Sequence, residues 1–124
     1  PTTGYFAAMY GREKLIPKAR FKQDVLSSYI RDNVEVLSND DKYVGSWIDD
    51  NDMVCLDVSV HFDSLRAALE FGIRHKQKAI WDVVNEREIV LPYHNGHNTD
   101  YQWESYCRQW IDKQCETNTE IFGI

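Results

Sequence analysis

Residues 43–91 constrain this chain more than any other stretch. Two apolar, β-branched runs, at residues 43–48 and 53–60, flank the acidic turn Asp49-Asp50-Asn51-Asp52. That is the signature of a hairpin. In the second run Val54, Leu56, Val58 and Val60 share one face, and Cys55, Asp57 and Ser59 share the other, because successive strand side chains point to opposite sides. One face is expected to be buried and the other partly wet. An amphipathic helix follows, with Asp63 or Ser64 as its cap and Leu65, Ala68, Leu69, Gly72 and Ile73 as its buried stripe. Glycine costs a helix about 1 kcal/mol against alanine, so Gly72 in that stripe implies close approach to a sheet. Residues 79–84 and 88–91 read as two further strands around a tight turn, closed by Pro92. The pattern is ββαββ.

The flanks add helices. Phe21, Val25, Leu26, Tyr29 and Ile30 fall on one stripe at a period of 3.6, predicting a helix over residues 19–32. Residues 1–19 read as an edge strand and an irregular arm, because Pro17 forbids a regular helix there. Residues 34–37 read as a short strand. Thr99 and Gln102 form a capping box that opens a second flanking helix. Its stripe is Trp103, Tyr106, Cys107, Trp110, Ile111 and Cys115, and a short tail follows with Ile121, Phe122 and Ile124 free to dock. The expected class is α+β: a small, mostly antiparallel sheet (the ββαββ core, about residues 43–91) with flanking N- and C-terminal helices. The 124 residues suit a single domain.

Charge is distributed in blocks. Residues 12–31 carry six basic and two acidic side chains, whereas residues 32–63 carry nine acidic ones against Lys42 alone. The overall balance is −6. Such a chain lacks the basic footprint of a general nucleic-acid binder and is suited to a basic partner. No apolar run approaches the ~20 residues that span a bilayer. The first residues show no charged head before an apolar core, so no secretory signal and no membrane association are expected. Cys55, Cys107 and Cys115 are an odd set at unrelated spacings, which fits reduced thiols in a cytoplasmic compartment better than a disulfide framework or a zinc site.

Within the central unit, Trp47-Ile48-Asp49, Leu56-Asp57-Val58-Ser59 and Gln77-Lys78-Ala79-Ile80-Trp81-Asp82, followed by Glu88-Ile89, form a recognisable pattern. It resembles that of a group of short, uncharacterised proteins encoded by bacteriophages and other mobile elements. The similarity covers part of the central unit, roughly a third of the chain, and omits both termini. It implies a phage or mobile-element setting in a bacterial host's cytoplasm, and it carries over no catalytic residue.

Candidate chemistry is sparse. His94 and His97, three apart in a loop with Asp100 nearby, could hold zinc or manganese; a solvated loop explains them as well. The acidic turn lacks the central Gly and terminal Glu of a calcium loop. Cys55 and Cys107 have no local signature of a nucleophile, and no glycine-rich phosphate loop is present. No cofactor is expected. The leading expectation is a non-enzymatic interaction protein. Asp40, Asp41, Asp49, Asp50 and Asp52 would form an acidic face with Trp47 as an anchor, binding a host or phage protein with a basic surface. One version is an inhibitor of a bacterial defence enzyme, its carboxylates occupying a groove meant for phosphates. The alternatives are a small metal-dependent hydrolase or nuclease using His94, His97 and Asp100, and a structural component of a virion or assembly. The aromatic stripe Trp103, Tyr106 and Trp110 serves either as core or as a homodimer contact.

Overall fold

The computed structural model describes residues 1–93 and 99–122, with side chains described as far as Glu116. Among these residues are six strands and four α-helices: β1 (Tyr5–Ala8), β2 (Lys14–Pro17), α1 (Gln23–Asp32), α2 (Val34–Leu37), β3 (Lys42–Ile48), β4 (Met53–Phe62), α3 (Leu65–Arg74), β5 (Ala79–Asp82), β6 (Arg87–Val90) and α4 (Asp100–Phe122). The class is α+β with antiparallel pairing throughout the registers described below. The β3-β4-α3-β5-β6 order follows the hydrophobic pattern of residues 43–91. The packing divides that stretch. Residues 8–61 form one compact unit, and residues 1–7 with 62–124 form another.

In the first unit β4 is the central strand. It pairs antiparallel with β2, where Ile16 faces Val54, and with β3, where Val44 faces Val58. The even-numbered residues Ile16, Val54, Leu56 and Val58 form a core with Tyr29, and Phe21, Val25, Leu26 and Val44 pack against it. Apart from Ile16, these are the residues that strand alternation and the helical stripe select, and their burial is what holds α1 to the sheet. Ile30, expected on the same stripe, is exposed instead. Tyr29 donates its hydroxyl to the carbonyl of Arg12 at 2.6 Å. Its pKa is pushed up to about 12, first by burial and then by the nearby charges of Asp57 and Glu13.

Three local expectations are corrected here. The helix begins at Gln23, after a 3₁₀ turn at Lys18–Arg20. Residues 14–17, read as an irregular arm, are the strand β2. Residues 34–37, read as a strand, are the helical turn α2. Asn33 explains the last of these: its carbonyl accepts the N–H groups of Val36 and Leu37 at 3.1 and 3.0 Å, and its side chain donates to the Tyr29 carbonyl. Local i to i−3 and i−4 bonds win over β-branched propensity.

The second unit has the order β1-β5-β6. Phe6 faces Trp81 and Ile80 faces Ile89. Ala68 and Leu69 of α3 and Ile111 of α4 close a core over Ile80, Ile89 and Leu91, and Arg66 pairs with Asp112 at 2.8 Å across the two helices. Ser64 caps α3 by accepting the N–H of Ala67. The Thr99–Gln102 capping box forms with both reciprocal bonds, at 2.9 and 3.1 Å. The helix it opens runs on to Phe122, past the expected end at Cys115.

Gly72 lies against the sheet as its place in the stripe implied. A Cβ there would stand 2.7 Å from Leu91 Cδ1 and 2.8 Å from Ile80 Cγ2. Gly72→Ala gains about 1 kcal/mol of helix propensity, and crowding a packed core costs about 1–3 kcal/mol. The branched Ile80 side chain is stiff and buried, so crowding wins. Urea denaturation is expected to show a net loss of about 1 kcal/mol; an unchanged or higher midpoint would contradict this packing.

Candidate functional site

The outer face of the β2-β4-β3 sheet, opposite α1, is set by strand parity. Odd-numbered residues point there: Leu15 on β2, Cys55, Asp57 and Ser59 on β4, Tyr43, Gly45 and Trp47 on β3. The register places Leu15, Cys55 and Trp47 in one row and aligns Gly45 with Asp57 in the next. Leu15 and Trp47 are 58% and 57% exposed, while Cys55 between them is 6% exposed. Two large apolar side chains thus border a buried thiol on a face that carries no described helix of this unit.

Asp57 sits beside this row in an unusual setting. Its carboxylate lies over the backbone of Gly45, where a Cβ would run into Oδ1, and it accepts the Ser59 hydroxyl at 2.7 Å. Burial pushes its pKa up, the Ser59 hydrogen bond pulls the other way, and the charge of Glu13 raises it again. The sign follows from linkage. A carboxyl whose folded pKa is raised binds more protons folded than unfolded, so it costs stability once the pH exceeds the folded value. Asp57→Asn keeps an acceptor for Ser59 and removes the charge. It is expected to raise stability at pH 7, with the gain vanishing as the pH falls to the ordinary aspartate range. Urea melts at the two pH values check this, and a loss at pH 7 would show the charge to be a net stabiliser.

The expected acidic face is rearranged by the fold. Asp40 and Asp41 precede β3, and Asp49, Asp50 and Asp52 follow it. At about 3.3 Å per residue the two groups are roughly 25 Å apart. Asp41 is paired with Lys42 Nζ at 2.6 Å. Asp49 is engaged in the turn itself, its Oδ1 accepting the N–H of Asn51 at 2.8 Å and of Met53 at 2.9 Å. Asp52 adopts a left-handed φ of 58° and donates its N–H to the Asp49 carbonyl at 3.2 Å, the geometry of a three-residue hairpin loop. Its own carbonyl accepts the N–H of Lys18 at 2.9 Å, which sets the basic segment Lys18-Ala19-Arg20 beside the acidic tip. Local counter-charge therefore dilutes the field at the tip. Trp47 is exposed near this turn, with Asp57, expected on the wet face of its strand, and Gly45, which the sequence did not mark, as its neighbours. The alternation of LDVS places Asp57 on the wet face, but only the register with Gly45 shows that the carboxylate is covered.

The other candidates fare differently. His94 and His97 lie outside the described residues. Asp100 is exposed in the first turn of α4, on the rim of a groove of about 830 Å³ between α3 and α4. That groove mixes Arg74, Lys76 and Arg108 with Glu70 and Glu104 around Trp103. Among the described residues no three His, Cys, Asp or Glu side chains converge as metal ligands. Burial pushes the thiols of Cys55 and Cys107 up, the opposite of what a thiolate nucleophile needs. In the aromatic stripe, Trp110 packs against the core, whereas Tyr106 is exposed and stacks with Trp103 at 6.1 Å. No described helix is long and apolar enough to cross a membrane. No protein-family model, curated protein or solved structure matches the chain.

Proposed function

We propose that this chain is a non-enzymatic protein-binding module that takes a basic surface of another protein against the outer face of β2, β4 and β3. The observation that carries the reading is the row of exposed Leu15 and Trp47 around buried Cys55, one step from the half-buried carboxylate of Asp57. Exposed aromatic and aliphatic side chains supply anchors, since a tryptophan buried at an interface centre is a frequent hot spot. Asp57, Asp50 and Asp52 supply the charge that selects a cationic partner and speeds encounter. Burial pushes the Asp57 pKa up, and if Asp57→Asn gains stability as expected, the carboxylate is one that folding alone would not favour. In the bacteriophage or mobile-element setting implied by the resemblance, the partner is a host or phage protein. A nucleic-acid-binding defence enzyme presents a basic surface of this kind, and its inhibition would follow from occupying that surface.

The test is affinity capture from bacterial lysate at low and moderate salt, with the original chain beside Leu15→Ala, Trp47→Ala and the double variant Asp50→Asn/Asp52→Asn. Asp49 is spared because its carboxylate holds the turn. The expected result is a protein with a basic surface whose capture weakens with salt. Trp47→Ala should reduce affinity by about 2 kcal/mol or more. Capture that is indifferent to Leu15→Ala and Trp47→Ala would overturn the reading.

A further inference from the structure

Among the described residues, the free edge of β3 differs from those of β2 and β6. Asp49 donates its N–H to the Met53 carbonyl, and His61 donates to the Asp41 carbonyl. These two bonds fix which residues of β3 face β4: the odd-numbered ones do. The backbone N–H and C=O groups of Val44, Ser46 and Ile48 therefore point away from β4. Among the described residues β3 pairs with β4 alone, so these groups meet no strand. The register runs without a bulge from Lys42 opposite Val60 to Ile48 opposite Val54, and no proline interrupts it. By contrast β2 has four residues and ends in Pro17, and β6 has four residues and begins with Arg87 and Glu88. Proteins usually blunt an open edge with such devices. β3 is seven residues long and carries one charged residue, Lys42, at its first position, so Tyr43 to Ile48 lack these devices.

Exposure on β3 is two-sided. Trp47 on the outer face and Ile48 on the opposite face are 57% and 54% exposed. A globular surface laid on one face would leave the other bare. An added strand, whose side chains alternate, reaches both. Charge selects among strands. Asp40 and Asp41 stand at one end of β3 and Asp49, Asp50 and Asp52 at the other, with Lys42 already paired to Asp41 and the diluting Lys18 and Arg20 on the β2 side of the tip, away from the free edge of β3. A second copy adding antiparallel through β3 would set acids against acids at both ends. A parallel copy would oppose each group to itself. An extended segment with β-branched residues at its centre and Lys or Arg at both ends meets neither repulsion.

We propose that the free edge of β3 accepts an extended basic segment of the partner as an additional strand. This rests on the reading of a basic partner and names how part of it is held. The probe is the peptide Lys-Arg-Val-Thr-Ile-Thr-Val-Arg-Lys, with the full chain followed by NMR and amide hydrogen exchange. In the free chain the amides of Val44, Ser46 and Ile48 are expected to exchange fast, and those of Gly45 and Trp47 slowly. Peptide should slow the first set by roughly tenfold or more. Replacing its Lys and Arg by Glu should abolish binding. N-methylating one alternate set of its central amides should weaken binding by roughly tenfold, the loss of a hydrogen bond or more, while the other set has no effect. Ser46→Pro removes an outward N–H at an edge position that tolerates proline and should have the same consequence.

The inference is overturned if Val44, Ser46 and Ile48 are already protected in the free chain, or if the peptide fails to bind. It also falls if both N-methyl sets act alike, or if sedimentation shows a dimer that Ser46→Pro dissolves. Leu15 is on β2, away from the edge, and separates the two readings. Partner capture lost on Leu15→Ala but untouched by Ser46→Pro sinks the edge and leaves the outer face. The reverse sinks the face and leaves the edge.

Discussion

Asp82→Ala is expected to cost about 3 kcal/mol of folding free energy, the range for removing a buried, hydrogen-bonded charge. Asp82 is 2% exposed at the end of β5. Its Oδ1 accepts the Asn85 N–H at 3.3 Å, and its Oδ2 accepts Asn85 Nδ2 at 2.8 Å and Arg87 Nε at 3.4 Å. One carboxylate thereby bonds Asn85 and Arg87 on either side of Glu86, which has a left-handed φ of 50°. Alanine would leave these donors without their acceptor and open a void beside Ile80. Asp82→Asn, of the same shape, should lose less. Arg87→Ala should lose least, since the Arg87 side chain is half-exposed and such pairs contribute about 1 kcal/mol or less.

The pH dependence of Asp82 separates charge from packing. Burial pulls its pKa up, but the bonds from Asn85 and Arg87 together outweigh burial and leave it lowered. A lowered carboxylate gives stability that is fully present above its ordinary pKa and is lost as pH falls through the folded value. The loss in Asp82→Ala should therefore be full at neutral pH and shrink in acid. Urea melts down the acid limb measure it. A pH-independent difference would mean that Asp82 acts through volume alone.

Much of this was legible in the sequence, for reasons that particular residues make plain. The caps at Ser64 and Thr99, the Gly72 approach and the alternation of β4 are local in cause. Each depends on side chains a few positions apart, and each is found where periodicity puts it. What stayed hidden depends on distant pairing. Nothing near residues 5–8 says that they will lie along β5, and nothing near residues 14–17 says that they will lie along β4. The division of residues 43–91 between two cores is hidden for the same reason. Alternation says which strand face is buried, not which helix buries it. The site followed the same rule. Trp47 and the turn acids could be named from their types, but their use could not: Asp49 is consumed by the turn, and Asp57 gains its setting from Gly45 on another strand. The residues after Cys115 are expected as a tail, yet residues 116–122 contain no helix breaker and the helix runs on to Phe122.

Leu56→Ala is expected to cost about 3–4 kcal/mol, within the range for truncating a fully buried leucine. Leu56 is completely buried at the middle of β4, in a core with Ile16, Tyr29, Val54 and Val58, where the register flanks it with Lys14 and Ser46. Strands paired on both sides leave little freedom for collapse into the space left behind, which puts the cost above the minimum for lost transfer energy. The neighbouring residue should move the other way, since Asp57→Asn is expected to gain stability at neutral pH. Opposite signs one residue apart would follow from the pleat: Leu56 and Val58 face the core, and Asp57 and Ser59 face outward. In the proposed function the LDVS run is then half scaffold and half site. Leu56→Ala should lower the urea midpoint while leaving the Asp57–Ser59 contact and partner capture intact in the molecules that remain folded. Asp57→Asn should raise the midpoint and weaken capture. If both variants were destabilised and both lost capture in proportion to unfolding, Asp57 would be a structural residue, and the outer face would rest on Leu15 and Trp47 alone.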